Sequence, residues 1–263
     1  MTDLTRAERR ARGMATMQRL HGSKQAATTA AAALEAELGA LGSFAIEWGF
    51  GDVWSRPGLA PADRELVVLS QLATLNQPDQ VRLHVGWALE LGLTESEIAE
   101  VFVQLSGYAG FPRAITAMRA AQAAFAERGG SGAAASAPVE PKDDAQRRTD
   151  ARAAVERLAA NQPPGGLDTG MGAFTGTAGR WAFGELWSRT ALTRRQRSLV
   201  VVATLVAQDK MNELRFHLRG ALNHGATVAE LEEVMTTTVV YAGFPTAVEG
   251  FRMLREVESQ AAG

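Results

Sequence analysis

The sequence has 263 residues, 46% of them hydrophobic, with 27 basic against 29 acidic side chains and a formal net charge of −2. That length allows one large domain or two small ones, the apolar content excludes global disorder, and the charge balance excludes a general polyanion-binding field. No cysteine is present, which removes disulfides, thiolate metal sites, thiol nucleophiles and dithiol redox chemistry from this sequence together.

The stretch MTDLTRAERRARGMATMQRL is charged from its third residue and lacks the apolar centre of a secretory signal. No run approaches the ~18 uncharged apolar residues of a membrane span, so the expectation is a cytoplasmic protein without membrane or nucleic-acid partners. Arg6 to Leu20 reads as a leading helix and the alanine-rich Ala26 to Leu38 as a second. Pro61 fits the first turn of a helix that carries Leu66, Leu69, Leu72 and Ala73 on one face. The next helix, from about Gln80 to Leu91, stops at Gly92. Thr94-x-x-Glu97 is a capping box opening a helix with Ile98, Val101, Phe102 and Leu105 at helical spacing; Gly110 ends it and Pro112 begins another. From Glu127 to Arg148 the chain is rich in Gly, Ser, Ala, Pro and charge, and its middle reads as a mobile linker. Ala145 to Ala159 is a second leading helix, and PPGGLDTGMGAFTGTAG after it is loop-like. Capping boxes at Thr193/Gln196 and Thr227/Glu230, stop glycines at Gly225 and Gly243, and Pro245 then repeat the earlier punctuation.

The repetition extends to residues. Offset by 133, the segment from Phe50 to Arg119 aligns without a gap on that from Phe183, with about 27 of roughly 70 positions identical. Trp54 pairs with Trp187, Arg56 with Arg189, Arg64 with Arg197, His84 with His217, and YAGFP from Tyr108 with YAGFP from Tyr241. With no alternating strand pattern, the expected fold class is all-α: a tandem duplicated helical bundle, with repeats at 1–126 and 145–263 about a linker at 127–144.

The block from Arg197 to Ala247, preceded by FGELWSR at Phe183 to Arg189, resembles the carboxymuconolactone decarboxylase family, and the first repeat resembles it with departures. The resemblance implies an alkylhydroperoxidase-D-like fold. One branch of that fold reduces peroxides with a Cys-x-x-Cys pair assisted by a Glu and a His. The corresponding segments around Leu75 to Val81 and Gln208 to Leu214 contain no cysteine, so a thiol peroxidase is not expected. Glu65 and His84 fall where that branch keeps its Glu and His, which leaves the first repeat a vestige of a proton relay.

The decarboxylase reaction implied by the resemblance removes CO2 from the γ carbon of an unsaturated lactone, and the lactone carbonyl takes up the electrons. No cofactor or metal is then needed. The protein must hold carboxylates, donate a hydrogen bond to an enolate oxygen and deliver a proton to carbon. Glu213 and His217, four apart, share a helix face, and His217, Glu213 and His84 are the expected catalytic residues. Arg197, Arg64, Arg219, Tyr241 and Trp187 are the expected substrate contacts, although Arg219 lies roughly 200° round the helix from His217. Gln80 and Gly86 stand where the second repeat has Glu213 and Arg219, and Trp87 stands where it has Gly220. The expectation is therefore that the second repeat is the decarboxylase-like half.

The expected function is a cofactor-independent carboxy-lyase for a small lactone or carboxylate such as γ-carboxymuconolactone. Alternatives are a cyclase, dehydratase or isomerase for a larger, polyketide-like substrate, and a non-catalytic assembly or binding module. Family assemblies imply a homotrimer of the fused chain, with Trp48, Phe50 and Trp187 available for interfaces.

Overall fold

Reciprocal capping sets the helix starts. Thr5 accepts the Glu8 amide while the Glu8 carboxylate accepts the Thr5 amide, opening α1 (Arg6–Leu20). The same device recurs at Thr94, Thr193 and Thr227. The computed structural model describes residues 3–130, 136–160 and 172–261, and among them there is no strand. In the first half α1 is followed by α2 (Lys24–Leu38), α3 (Ala40–Phe44), a wide π-type stretch at Ala45–Trp54, α4 (Pro61–Thr74), α5 (Pro78–Glu90), α6 (Glu95–Leu105) and α7 (Phe111–Glu127). The second half runs through α8 (Asp144–Leu158), α9 (Ala173–Thr177), a π-type stretch at Ala178–Phe183, α10 (Arg194–Ala207), α11 (Met211–Asn223), α12 (Val228–Tyr241) and α13 (Phe244–Ala261).

Two sequence expectations change here. Part of the glycine-rich segment expected as loop, Ala173 to Gly179, is helical, within a run that continues to Phe183: Gly184 donates to the Gly179 carbonyl five residues back at 2.9 Å, and Trp181 stacks on Phe111 at 5.0 Å. Packing against the first half outweighs the weak local propensity. The rest of that segment up to residue 171 lies outside the described residues, as do 131–135 of the linker. The described end of the linker is pinned rather than free, because Arg189 donates to the Ala137 carbonyl at 2.7 Å and Lys142 to Ser188 Oγ at 2.8 Å.

The leading helices dock closely on the π-type stretches. A β-carbon on Gly51 would stand 2.2 Å from the Arg9 carbonyl oxygen, and one on Gly184 would stand 2.5 Å from that of Arg147. Only glycine permits either approach, and in the first half it brings α1 over the site described below.

At the centre α4 packs against α10, and each is buried along nearly its whole length. A helix apolar on all sides belongs between other helices. Each half has its own core, but Leu192 and Val200 join the first and Leu59 and Val67 the second, so the two are interlocked. The buried arginines of α4 and α10 are met from the opposite half. Arg64 Nη2 donates to Glu233 at 2.9 Å and its Nη1 to Thr237 at 2.7 Å. Arg197 reciprocally pairs with Glu100 at 3.0 Å and donates to Gln104 at 2.7 Å. Arg56 and Arg189 each add a second guanidinium to the same two carboxylates, both at 2.8 Å.

Removing one member of such a buried pair strands the other. Glu100→Ala and Glu233→Ala are each expected to lower the unfolding free energy by about 3–5 kcal/mol in urea titrations. Arg252→Ala, which removes an exposed ion pair with Glu249, is expected to cost less than about 0.5 kcal/mol.

Candidate active site

Glu65 on α4 and His84 on α5 face each other, with His84 Nδ1 2.8 Å from Glu65 Oε1. Glu65 is wholly buried and its Oε2 has no hydrogen-bond partner. Burial pushes the carboxyl above the ordinary carboxylate range, against the opposing pull of His84. His84 has Trp87 edge-on at 4.4 Å, Tyr241 edge-on at 5.5 Å and Trp54 face-on at 6.2 Å. The imidazole forms part of the wall of a cavity of about 320 Å³, together with Phe50, Trp54, Gln80, Trp87 and Tyr241, and with Met17, His21, Ala30 and Leu34 from α1, α2 and the turn between them. With Nδ1 taken by Glu65, the nitrogen left for a ligand is Nε2.

Tyr241 belongs to the other half. It reaches the cavity from the end of α12 and accepts a hydrogen bond from Trp54 Nε1 at 2.9 Å. Its phenol proton has no acceptor among the described residues, and burial pushes its pKa well above the ordinary value, so the hydroxyl stays protonated and able to donate. An imidazole backed by a buried carboxyl and a hydroxyl donor, both rings on the wall of one apolar cavity, form an acid–base device with a place for a developing oxyanion.

The second half repeats part of this. Tyr108, from the first half, accepts from Trp187 Nε1 at 2.6 Å, and His217 lies face-on to Trp187 at 5.8 Å and edge-on to Tyr108 at 5.2 Å. The carboxylate is missing, because Ser198 occupies the position of Glu65. Ser198 Oγ is 2.8 Å from Nδ1 of His224 instead, and His217 Nδ1 is buried without a partner. Burial, aided by His224, pushes His217 down to about 3. Where the first half has Trp87, the second has Gly220, and a β-carbon there would stand 2.2 Å from the Leu158 side chain. The recess of about 730 Å³ beside Trp187 is lined by Lys142, Arg157, Arg194 and His224, and not by His217.

Several expected site residues stand elsewhere. Glu213 is exposed on the first turn of α11 while His217 is buried, and the two are not hydrogen-bonded. Arg64 and Arg197 are committed to Glu233 and Glu100 between the halves, where no substrate carboxylate can displace those partners cheaply. Arg219 bonds Gln260. Trp187 lines the mixed-charge recess and joins the halves through Tyr108, whereas Trp48 is half exposed beneath Arg9 and Phe50 lines the first-half cavity. His84 and Tyr241 are brought together in one cavity. The sequence marks Glu65 only by the apolar run from Leu66 that follows it and by its spacing to His84, and it gives no sign of the exchange of tyrosines.

The model of the Carboxymuconolactone decarboxylase family matches the chain twice, over residues 40–123 and 173–256, together more than half of it. The chain belongs to the carboxymuconolactone decarboxylase family. It is similar to a 4-carboxymuconolactone decarboxylase of Acinetobacter baylyi, 45% identical over 78 residues that make up 30% of this chain and 58% of that protein. It is also similar to a nitrosuccinic acid decarboxylase of Metarhizium robertsii, 41% identical over 69 residues, 26% of this chain and 48% of that protein. The chain thus spans about half the length of these curated relatives. A crystal structure provisionally assigned as a gamma-carboxymuconolactone decarboxylase subunit, from Burkholderia xenovorans LB400, superposes with a TM-score of 0.58 over 97% of this chain and 98% of that one, at 21% identity. That likeness shows a shared fold. In this family member no described helix is long and apolar enough to cross a membrane, and no described group of His, Asp and Glu is placed to hold a metal ion.

A histidine whose folded pKa lies below its unfolded value binds fewer protons when folded, so stability is lost as pH falls through the unfolded pKa toward the folded one. His217, at about 3 against an ordinary 6.5, and His224, at about 4, both act in this sense. Urea stability is expected to drop between pH 7 and pH 5, while the His217 imidazole resonances in NMR stay those of the neutral ring over that range. A His217 titration midpoint near 6.5 would contradict the buried, unpaired geometry.

Proposed function

We propose that the chain is a cofactor-independent lyase whose working site is the first-half cavity, where it removes CO2 from an unsaturated lactone acid by proton transfer through His84. The observation that carries this reading is the buried 2.8 Å pairing of Glu65 with His84 on the wall of a cavity that Tyr241 completes. The relatives named as decarboxylases support the reaction class.

Loss of CO2 from the γ carbon leaves an electron pair that runs through the double bond onto the lactone oxygen. The Tyr241 hydroxyl, held by Trp54, donates a hydrogen bond to that oxygen. While Glu65 carries a proton, it donates to His84 Nδ1 and the proton of the imidazole sits on Nε2. Nε2 gives this proton to substrate carbon as the Glu65 proton passes to Nδ1; Nε2 then takes a proton from solvent through the cavity, and Nδ1 returns its own to Glu65. One substrate carboxylate and one proton become CO2 and a C–H bond. Desolvation assists twice: it disfavours the charged form of Glu65, and it favours a transition state whose charge is spread over the dienolate above a ground state with a localised carboxylate.

A second reading keeps the same groups. The absence of Lys and Arg from the cavity lining favours proton-transfer chemistry, as in a cyclase, dehydratase or isomerase, on a substrate that brings no carboxylate at all.

Release of CO2 from γ-carboxybutenolides tests the first reading. His84→Asn is expected to lower kcat by about 10²–10⁴-fold. Glu65→Gln should lower it by about tenfold or more and displace the alkaline limb of the pH profile, which reports loss of the proton shared by the pair. His217→Asn is expected to stay within about twofold. A loss confined to His217→Asn would move the chemistry to the second half and overturn the proposal.

A further inference from the structure

The first-half cavity is a poor host for more than one negative charge. Its rings are Phe50, Trp54, Trp87 and Tyr241, its covering residues from α1 and α2 are mostly apolar, and neither Lys nor Arg is among the lining residues. The nearby guanidinium groups lie outside the lining: Arg64 pairs with Glu233 and Thr237, Arg128 with Glu90, and Arg9 lies over Trp48 with Asp52 at 3.7 Å. The remaining polar groups that face the cavity are Gln80, His21, His84 and Tyr241. His21 stands edge-on to Trp87 at 5.3 Å, and burial lowers its pKa, which keeps it neutral. Glu65 and His84 together carry no net charge while they hold their shared proton. One substrate carboxylate can be met by hydrogen bonds from Gln80 and, until it delivers its proton, from His84, but a second would be desolvated among indoles without a counter-ion.

The covering residues lie outside the matched segment. Met17, His21, Ala30 and Leu34 all precede residue 40, where the family match begins. In the second half the place of Trp87 is taken by Gly220 and filled by Leu158. The shape and polarity of the cavity therefore owe much to residues outside the matched segment and to one bulky departure within the duplicated unit.

We infer that the site takes a ring-bearing, largely apolar acid with a single carboxylate, such as an aryl-substituted γ-carboxybutenolide, in preference to a dicarboxylated lactone. The inference rests on the proton-transfer reading of the same cavity. Four aromatic faces supply stacking area, a volume of about 320 Å³ admits a bicyclic body, and the charge of the lone carboxylate is removed as the reaction proceeds.

Matched probes separate charge from size. Calorimetric titration of the whole chain with 4-methyl-1-naphthoate and with naphthalene-1,4-dicarboxylate compares one carboxylate with two on one ring. The monoacid is expected to bind at least about tenfold more tightly. Leu34→Lys, a half-buried position in the cover, should narrow that gap by supplying the missing cation. Equal or tighter binding of the dicarboxylate, or binding of neither probe, would overturn the inference. The reaction reading is judged separately, by CO2 release from γ-carboxybutenolides in the wild type and in His84→Asn. His84-dependent turnover together with preferred binding of the dicarboxylate sinks the substrate class alone. Preferred binding of the monoacid without His84-dependent turnover sinks the reaction alone.

Discussion

Two guanidinium groups buried between α4 and α10 decide how the halves of this protein meet. Neither Arg64 nor Arg197 has a carboxylate in its own half to pair with; Glu233 and Glu100 come from α12 and α6 of the opposite half. A charge at that depth cannot remain unpaired, so the apolar faces of α4 and α10 can close only when both exchanges are made. Closure fixes the far ends of α6 and α12. Tyr108 and Tyr241 at those ends then arrive beside the tryptophans of the other half, and the candidate site inherits its geometry from the same exchange.

Within that symmetric frame the two sites have diverged through a few side chains. Glu65 against Ser198 decides whether the imidazole on the next helix has a carboxyl to share a proton with. Trp87 against Gly220 decides whether an indole lines open space or Leu158 fills it. The first half keeps a coupled acid–base pair beside a cavity; the second keeps a sealed, neutral His217 and contributes Tyr241 across the boundary. Fusion of two units allows this division, since one unit can lose its own relay while still completing its neighbour's site.

Much of the architecture was legible in the sequence because it is local. Thr-x-x-Glu and Thr-x-x-Gln boxes and stop glycines mark helix ends within one turn of chain, and the duplication is visible by offset alone. The pairing of repeated Arg, Glu, Trp and Tyr residues was not legible, since each contact joins positions far apart in sequence and equivalent residues look identical whether they bond within a half or across it. The proposed site lies in the other half from the one the sequence suggests, for a related reason. Glu213 and His217 obey the i, i+4 rule, but four residues advance the helix by about 40° beyond a full turn, enough on the first turn of α11 to leave one exposed and the other buried. Glu65 and His84 lie on different helices, and only packing brings them to 2.8 Å.

The central claim is that the first-half site borrows its oxyanion donor from the second half. The most direct test compares kcat for CO2 release from a γ-carboxybutenolide in Tyr241→Phe and Tyr108→Phe, two variants that each remove one equivalent hydroxyl from an indole partner. The account predicts a loss of about 10²-fold in Tyr241→Phe and a change within about twofold in Tyr108→Phe. Equal losses in the two variants, or a loss in Tyr108→Phe alone, would contradict it.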